Sequence, residues 1–222
     1  MLYFAGGIFN GYIWLSLTDG PIFFIVPPLN TESQLCRSIR KPEQIPSMLA
    51  ADGMKIPAGI GLEFEDLLYS EIRRLSGIFP DAEPGDASAD MRDCRAVKTP
   101  YELEIMREDG RRQAAVYSRI PRCYKEGMTD LEFQIEIEHV LRREGCLGFP
   151  RVAGRRMEIN LGSVLAGDNA DEPSPYDFSM GGTGADPSLP VGASGNIMRP
   201  GTAVMVDMNG GFNGYQTDMT RV

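Results

Sequence analysis

Residues 203–222, AVMVDMNGGFNGYQTDMTRV, carry the pattern of a single hairpin. The apolar run Ala203, Val204, Met205, Val206 has the signature of a strand buried on both faces, and it ends on a carboxylate, Asp207. Asn209-Gly210-Gly211 and Asn213-Gly214 supply the positive-φ positions a tight turn needs. Residues 215–222 then form the returning strand, which carries Asp218. Opposed residues in an antiparallel pair have a constant index sum. That sum is odd for a turn closed on Asn213-Gly214, and it is odd for Asp207 with Asp218. Both carboxylates are therefore expected on one face, directly opposite or one diagonal step apart.

Two ionised carboxylates aimed at one point repel each other, and an unpaired charge in a buried sheet is costly. A divalent cation, or two cations about 3.5–4 Å apart, answers them, because hard cations take oxygen ligands and carboxylates can bridge. Taken alone, two aspartates at this spacing also fit an acidic hairpin with both side chains in solvent.

The flanking residues separate these readings. VMVDMNGGFNGYQTDMTRV resembles the metal-binding hairpin of the pita-bread metallopeptidases, the family of methionine aminopeptidase, Xaa-Pro aminopeptidase and prolidase, with creatinase as a metal-free cousin. The matching pieces are the strand ending in Asp207, Gly214-Tyr215, and Asp218-Met219-Thr220-Arg221. The resemblance implies that Asp207 chelates one metal and Asp218 bridges two. It makes Thr220 a hydrogen-bond partner behind the ligands and Arg221 a structural ion-pair former. Pro190-Val191-Gly192 stands where the family carries Pro-His-Gly, which places Val191 at the substrate cleft with valine in the histidine position.

The chain has 222 residues, of which 42% are hydrophobic and 24% charged, enough for one large or two smaller globular domains. A net charge of −9 argues against nucleic acid or an anionic membrane as partner. Cys36, Cys94, Cys123 and Cys146 lie at wide spacings with no CxxC, which favours reduced thiols over disulfides or zinc. No apolar run reaches membrane-spanning length. A cytoplasmic protein is expected.

At the other end of the chain, residues 1–6 are strand-like. Residues 12–17 and 21–26 flank Thr18-Asp19-Gly20 as a hairpin. Thr31-Glu32-Ser33-Gln34 has the form of a capping box opening a helix, and a second helix is expected between Pro42 and Leu49. Residues 59–64 follow as a strand and residues 67–75 as a helix, implying a mixed sheet covered by helices. LYFAG and IGLEFEDLLY are similar to the non-catalytic N-terminal domain of prolidases, Xaa-Pro aminopeptidases and creatinases, although the family's preceding helix and strand are absent before Leu2.

The cluster at 80–89, PDAEPGDASA, has no apolar period and is expected to join two domains, 1–85 and 90–222. RAVKTPYE, residues 95–102, resembles the family's entry into its catalytic domain. Its chemistry is that of a helix start, with Thr99 as cap, Pro100 at the first position and Glu102 closing the box. Leu103, Met106, Gly110, Ala114 and Tyr117 then form an expected core stripe. Thr129-Asp130-Leu131-Glu132 repeats the start for a helix with Phe133, Ile137, Val140 and Leu141 on its apolar side, ending near Gly145.

That helix carries the sole histidine, His139, which has no ligand partner at metal-binding spacing. No Ser-His-Asp or Cys-His nucleophile is assembled without it. Residues 151–199 are rich in Gly, Pro, Ser and Asp, and the glycines at 181–184 match neither a phosphate loop nor a dinucleotide fingerprint, so they are expected to wall a site. The expectation is an α/β (α+β) protein, a creatinase-type N-terminal mixed-sheet domain followed by the first part of a pita-bread domain. By resemblance the intact enzyme is a metal-dependent aminopeptidase or dipeptidase of the Xaa-Pro type. It would hold two divalent ions (Mn, Co or Zn), act on peptides or dipeptides, and form a homodimer. The family's remaining His and two Glu ligands come from sequence beyond Val222, so this stretch by itself is expected to bind metal weakly or not at all and to be inactive. The alternative is a non-catalytic relative that kept the fold as a binding or interaction module.

Overall fold

Local sequence rules account for most elements of the chain, and the exceptions have identifiable causes. The computed structural model describes residues 1–27, 33–150, 161–176 and 181–222. They divide into two compact units, Met1–Val97 and Lys98–Val222.

In the first unit, the expected opening strand is instead a single helical turn, α1 (Leu2–Ala5), closed by Ala5 N–H donating to the Met1 carbonyl at 3.0 Å. Leucine, phenylalanine and alanine serve either conformation, and this run pairs with no strand among the described residues. Strands β1 (Gly11–Trp14) and β2 (Ile22–Ile25) form the expected antiparallel hairpin, with Tyr12 opposite Phe24. The capping box at Thr31 and Glu32 lies outside the described residues, and the next element is not a helix but β3 (Cys36–Ser38), parallel to β2. A 3-10 turn at Pro42–Gln44 leads into α2 (Ile45–Ala51), as expected.

A separate parallel pair joins β4 (Gly59–Leu62) to β5 (Glu83–Asp86), with α3 (Tyr69–Ile78) between them and α4 (Ser88–Ala96) after. The cluster at 80–89 is thus structured. Pairing with β4 overrides its loop-like composition, and Pro84 is tolerated because β5 has only one neighbour among the described residues. The core of this unit gathers Phe24, Ile39, Ile45, Leu49, Ile60 and Phe79, and the Trp14 ring stacks 5.6 Å from that of Phe79.

In the second unit, Thr99 and Thr129 cap α5 (Pro100–Tyr117) and α6 (Asp130–Arg143). Each threonine hydroxyl accepts from the N–H three residues on, and each glutamate at that position accepts from the threonine's own N–H, at 2.7 Å for Thr99 and 2.8 Å for Thr129. Helix α6 buries Phe133, Ile137 and Leu141 as its spacing requires, and leaves His139 at the surface.

Helix α5 departs from the expected stripe. Its buried residues are Glu102, Asp109, Gln113 and Val116, whereas Leu103 and Ala114 are exposed. The helical period holds but the phase is shifted, because the buried face is polar and finds its partners far along the chain.

Those partners belong to the three-stranded antiparallel sheet of β6 (Gly162–Ala166), β7 (Val204–Gly210) and β8 (Thr217–Arg221). Val164, Val206 and Met208 point from it into a core with Val116, Ile120, Phe133, Ile137 and Leu141. Burial alternates along β7, with Val206, Met208 and Gly210 buried and Met205, Asp207 and Asn209 half-buried. The strand is therefore not buried on both faces. One face meets the helices, and the other bears the carboxylates.

Candidate functional site

The register of β7 with β8 pairs Asp207 with Thr220 and Asn209 with Asp218. The two aspartates therefore share one sheet face, one diagonal step apart, as the turn centred on Asn213-Gly214 requires. The Thr220 hydroxyl donates to Asp207 Oδ1, which fixes the carboxylate's orientation. Arg221 lies on the opposite face by the same parity. Its guanidinium donates to the neighbouring Thr220 carbonyl at 2.6 Å, in place of the ion pair expected of it.

Partial burial, and after it the negative charge of Asp207, push the Asp218 carboxyl above the usual carboxylate range, while the Met219 N–H pulls it back. Asn209, opposite Asp218, has a side-chain oxygen shielded from solvent with no hydrogen-bond partner among the described residues. A buried acceptor without a donor costs about 1–3 kcal/mol. Two carboxylates and an orphaned carboxamide oxygen on one face fit a hard cation, which takes oxygen donors and completes its shell with water. Among the described residues no group of three or more His, Cys, Asp or Glu gathers at one point.

Behind this face, α5 holds the hairpin through polar side chains. The Tyr117 hydroxyl accepts from Met208 N–H at 3.0 Å and lies against the carbonyls of Met219 and Val206, so that one phenol ties β7 to β8. Burial pushes this phenol well above its ordinary pKa, with Asp207 and Asp218 adding to the shift and Arg221 opposing it. Gln113 donates to the Met208 carbonyl at 2.6 Å. Asn213 donates to Asp109 at 2.6 Å, and Tyr215 to Glu102 at 2.8 Å.

The glycine-rich segment at 181–193 lies over the β6 side of the carboxylate face. Ser163 directly opposes Asp207, so its side chain shares that face. A Cβ on Gly192 would stand 2.7 Å from Ser163 Oγ. A Cβ on Gly182 would stand 2.7 Å from a Leu165 methyl and 2.3 Å from the Gly192 carbonyl oxygen, and both glycines have positive φ. These are positions where only glycine fits. The Asn169 amide braces the segment, donating to Gly192 O at 3.0 Å and accepting from Thr183 N–H at 2.9 Å. Val191 within it is buried, at 3% exposure.

Asp130 anchors the stretch that follows. Its carboxylate, wholly buried at the start of α6, accepts from Ser194 N–H and Oγ, both at 2.9 Å, and from Gly195 N–H at 2.7 Å. Sequence reasoning treated Asp130 only as a helix-start residue, passed over Asn169, and placed Asn209 and Gly210 in the turn, whereas both lie within β7 and the positive φ of the turn is at Gly214. A single Asp or Asn carries no periodic signal, and Asp130 and Asn169 act here through partners distant in sequence.

The family model for metallopeptidase family M24 matches residues 104–222, which contain the hairpin, α6, all but the first turn of α5, and the loop beside the hairpin. The chain belongs to metallopeptidase family M24. No curated protein matches it. The M24 assignment agrees with solved structures of similar fold. Prolidase from Pyrococcus furiosus superposes with a TM-score of 0.71 at 21% identity, covering 99% of this chain and 61% of that one. Xaa-Pro dipeptidase from Bacillus anthracis gives 0.71 at 19%, covering 99% and 56%. X-Pro aminopeptidase from Thermotoga maritima gives 0.66 at 18%, covering 94% and 52%. The chain thus spans little more than half the length of these relatives, and its mixed α/β architecture is that of pita-bread M24 proteins.

Proposed function

We propose that this chain is the opening part of an Xaa-Pro-type metallopeptidase, in which Asp207 and Asp218 hold divalent cations and peptides or dipeptides are hydrolysed. The observation carrying this is the placement of both aspartates one diagonal step apart on a single face, within the M24-matching segment. We draw its domains as 1–85 and 90–222 by composition, against a division by compactness between Val97 and Lys98. When bound, divalent cations at such a site supply Lewis acidity and a water of lowered pKa. The chain's own residues orient and support. Thr220 holds the Asp207 carboxylate, and Tyr117 sets the spacing of the two strands that carry the aspartates. The Asn169-braced loop walls the face beside Asp207. Mn, Co or Zn are the candidate metals. Free cysteines and the absence, among the described residues, of a helix long and apolar enough to cross a membrane accord with a cytoplasmic setting, and we extend the proposal to a homodimer.

A second reading, a non-catalytic M24 protein serving as a binding module, is favoured by one feature. Val191 is apolar and buried where the family's motif has a histidine. Paramagnetic resonance of Mn2+ titrated into the chain, with turnover of Xaa-Pro dipeptides followed in parallel, tests the proposal. Weak Mn2+ binding that is lost in both Asp207→Asn and Asp218→Asn, without turnover by the 222-residue chain, is expected. Binding that survives both substitutions overturns the site. Turnover restored when the chain is extended to the length of its relatives separates the enzyme from the module.

A further inference from the structure

Asn209 Oδ1 is shielded from solvent and without a hydrogen-bond partner among the described residues, and so is the carboxamide of Gln216, two residues before Asp218. The Asn209 backbone N–H donates to the Leu161 carbonyl at 2.8 Å, toward β6, so its pair with Asp218 across to β8 is of the non-hydrogen-bonded kind. In such pairs the Cα atoms approach to about 4.5 Å and the side chains stand close. Asp207 is two residues away on the same strand and therefore on the same face. Asp207, Asn209 and Asp218 thus mark three corners of one patch. The other groups that reach it do not satisfy the carboxamide oxygen. The Thr220 hydroxyl is committed to Asp207, and Arg221 projects from the opposite face.

We propose that Asn209 Oδ1 is a third oxygen ligand for the divalent cation held by Asp207 and Asp218. The inference rests on the proposed metal site and deepens it. A carboxamide adds a donor without adding a third negative charge, so the patch carries two charges to balance a divalent ion. A ligand set made only of oxygens suits hard cations, of which Mn2+ is a convenient probe.

The test uses the 222-residue chain with Mn2+ alone as ligand. Affinity is read from the free-ion paramagnetic resonance signal, and the loss of the Asn209 side-chain amide resonance by paramagnetic broadening gives a second readout. Asn209→Ala is expected to weaken Mn2+ binding roughly tenfold or more. Asn209→Asp, which restores an oxygen at the same place, is expected to recover it, a rescue that a purely structural role does not predict. Thermal melts of each variant without metal establish that it is folded. If Asp207→Asn abolishes binding while Asn209→Ala leaves it unchanged, the inference is overturned and the proposed site stands. If neither substitution changes Mn2+ binding, both fall. If the wild-type chain binds no Mn2+ up to millimolar metal, three preplaced oxygens are not a site and the inference is overturned, whereas a site completed by further ligands in a longer chain is not.

Discussion

Asp109 has no solvent exposure; one of its carboxylate oxygens accepts from Asn213 Nδ2, and the other is buried without a partner among the described residues. Burial pushes its carboxyl above the ordinary value, with the Asn213 bond and Arg112 opposing the shift and Glu108 adding to it. The folded chain therefore holds this proton more tightly than the unfolded chain does. Between the ordinary carboxylate pKa and the raised one, the native state binds more protons, so stability falls as pH rises through that window. In Asp109→Asn the carbonyl can still accept from Asn213 and no charge is buried. Urea unfolding over a pH series is expected to show the variant more stable than wild type near neutrality, with the gap closing as pH falls below the ordinary carboxylate range. A variant less stable than wild type at neutral pH would mean that the Asp109 charge is net favourable where it sits.

At the scale of elements, what was legible in the sequence was whatever depends on near neighbours. Thr99 with Glu102 and Thr129 with Glu132 are three residues apart, and both boxes form. The shared face of Asp207 and Asp218 followed from the position of Asn213-Gly214, because a turn centre sets the parity of every pair beyond it, and the structure selects the diagonal of the two registers that parity allows. The phase of α5 was not legible. Its Glu102, Asp109 and Gln113 are buried because Tyr215, Asn213 and the Met208 carbonyl, some hundred positions on, are brought to them. The loop at 181–193 was expected to wall a site, but its shape was not legible for the same reason, since it is set by contacts with β6. That contact makes a prediction. At Gly192, alanine meets both a positive φ, costing about 1–2 kcal/mol, and the Ser163 hydroxyl oxygen at 2.7 Å. Gly192→Ala is expected to destabilise the second unit by more than the backbone term, and adding Ser163→Ala is expected to return the excess but not the whole. If the two substitutions prove additive in denaturant unfolding, the loop does not press on β6.

At the scale of the molecule, each unit has a core of its own, Phe24, Ile39 and Leu49 among its residues in the first and Val116, Ile137 and Met208 in the second. The proposed metal face belongs wholly to the second, since β7 is backed by the core containing Ile137 and Leu141, and helix α5 ties the hairpin from behind through Gln113 and Tyr117. Leu49 and Ile137 are both fully buried, so truncating either to alanine should cost about 2–5 kcal/mol. The two losses are expected to fall in different places. Ile137→Ala should lower hydrogen-exchange protection of the β6, β7 and β8 amides and weaken Mn2+ binding with it, because the strands that carry the aspartates lose their backing. Leu49→Ala should lower protection of β1, β2 and α2 and leave the Mn2+ affinity of the folded chain unchanged. Equal loss of protection across both units in either variant would show that the chain unfolds as one cooperative body and that the metal face draws its stability from both cores.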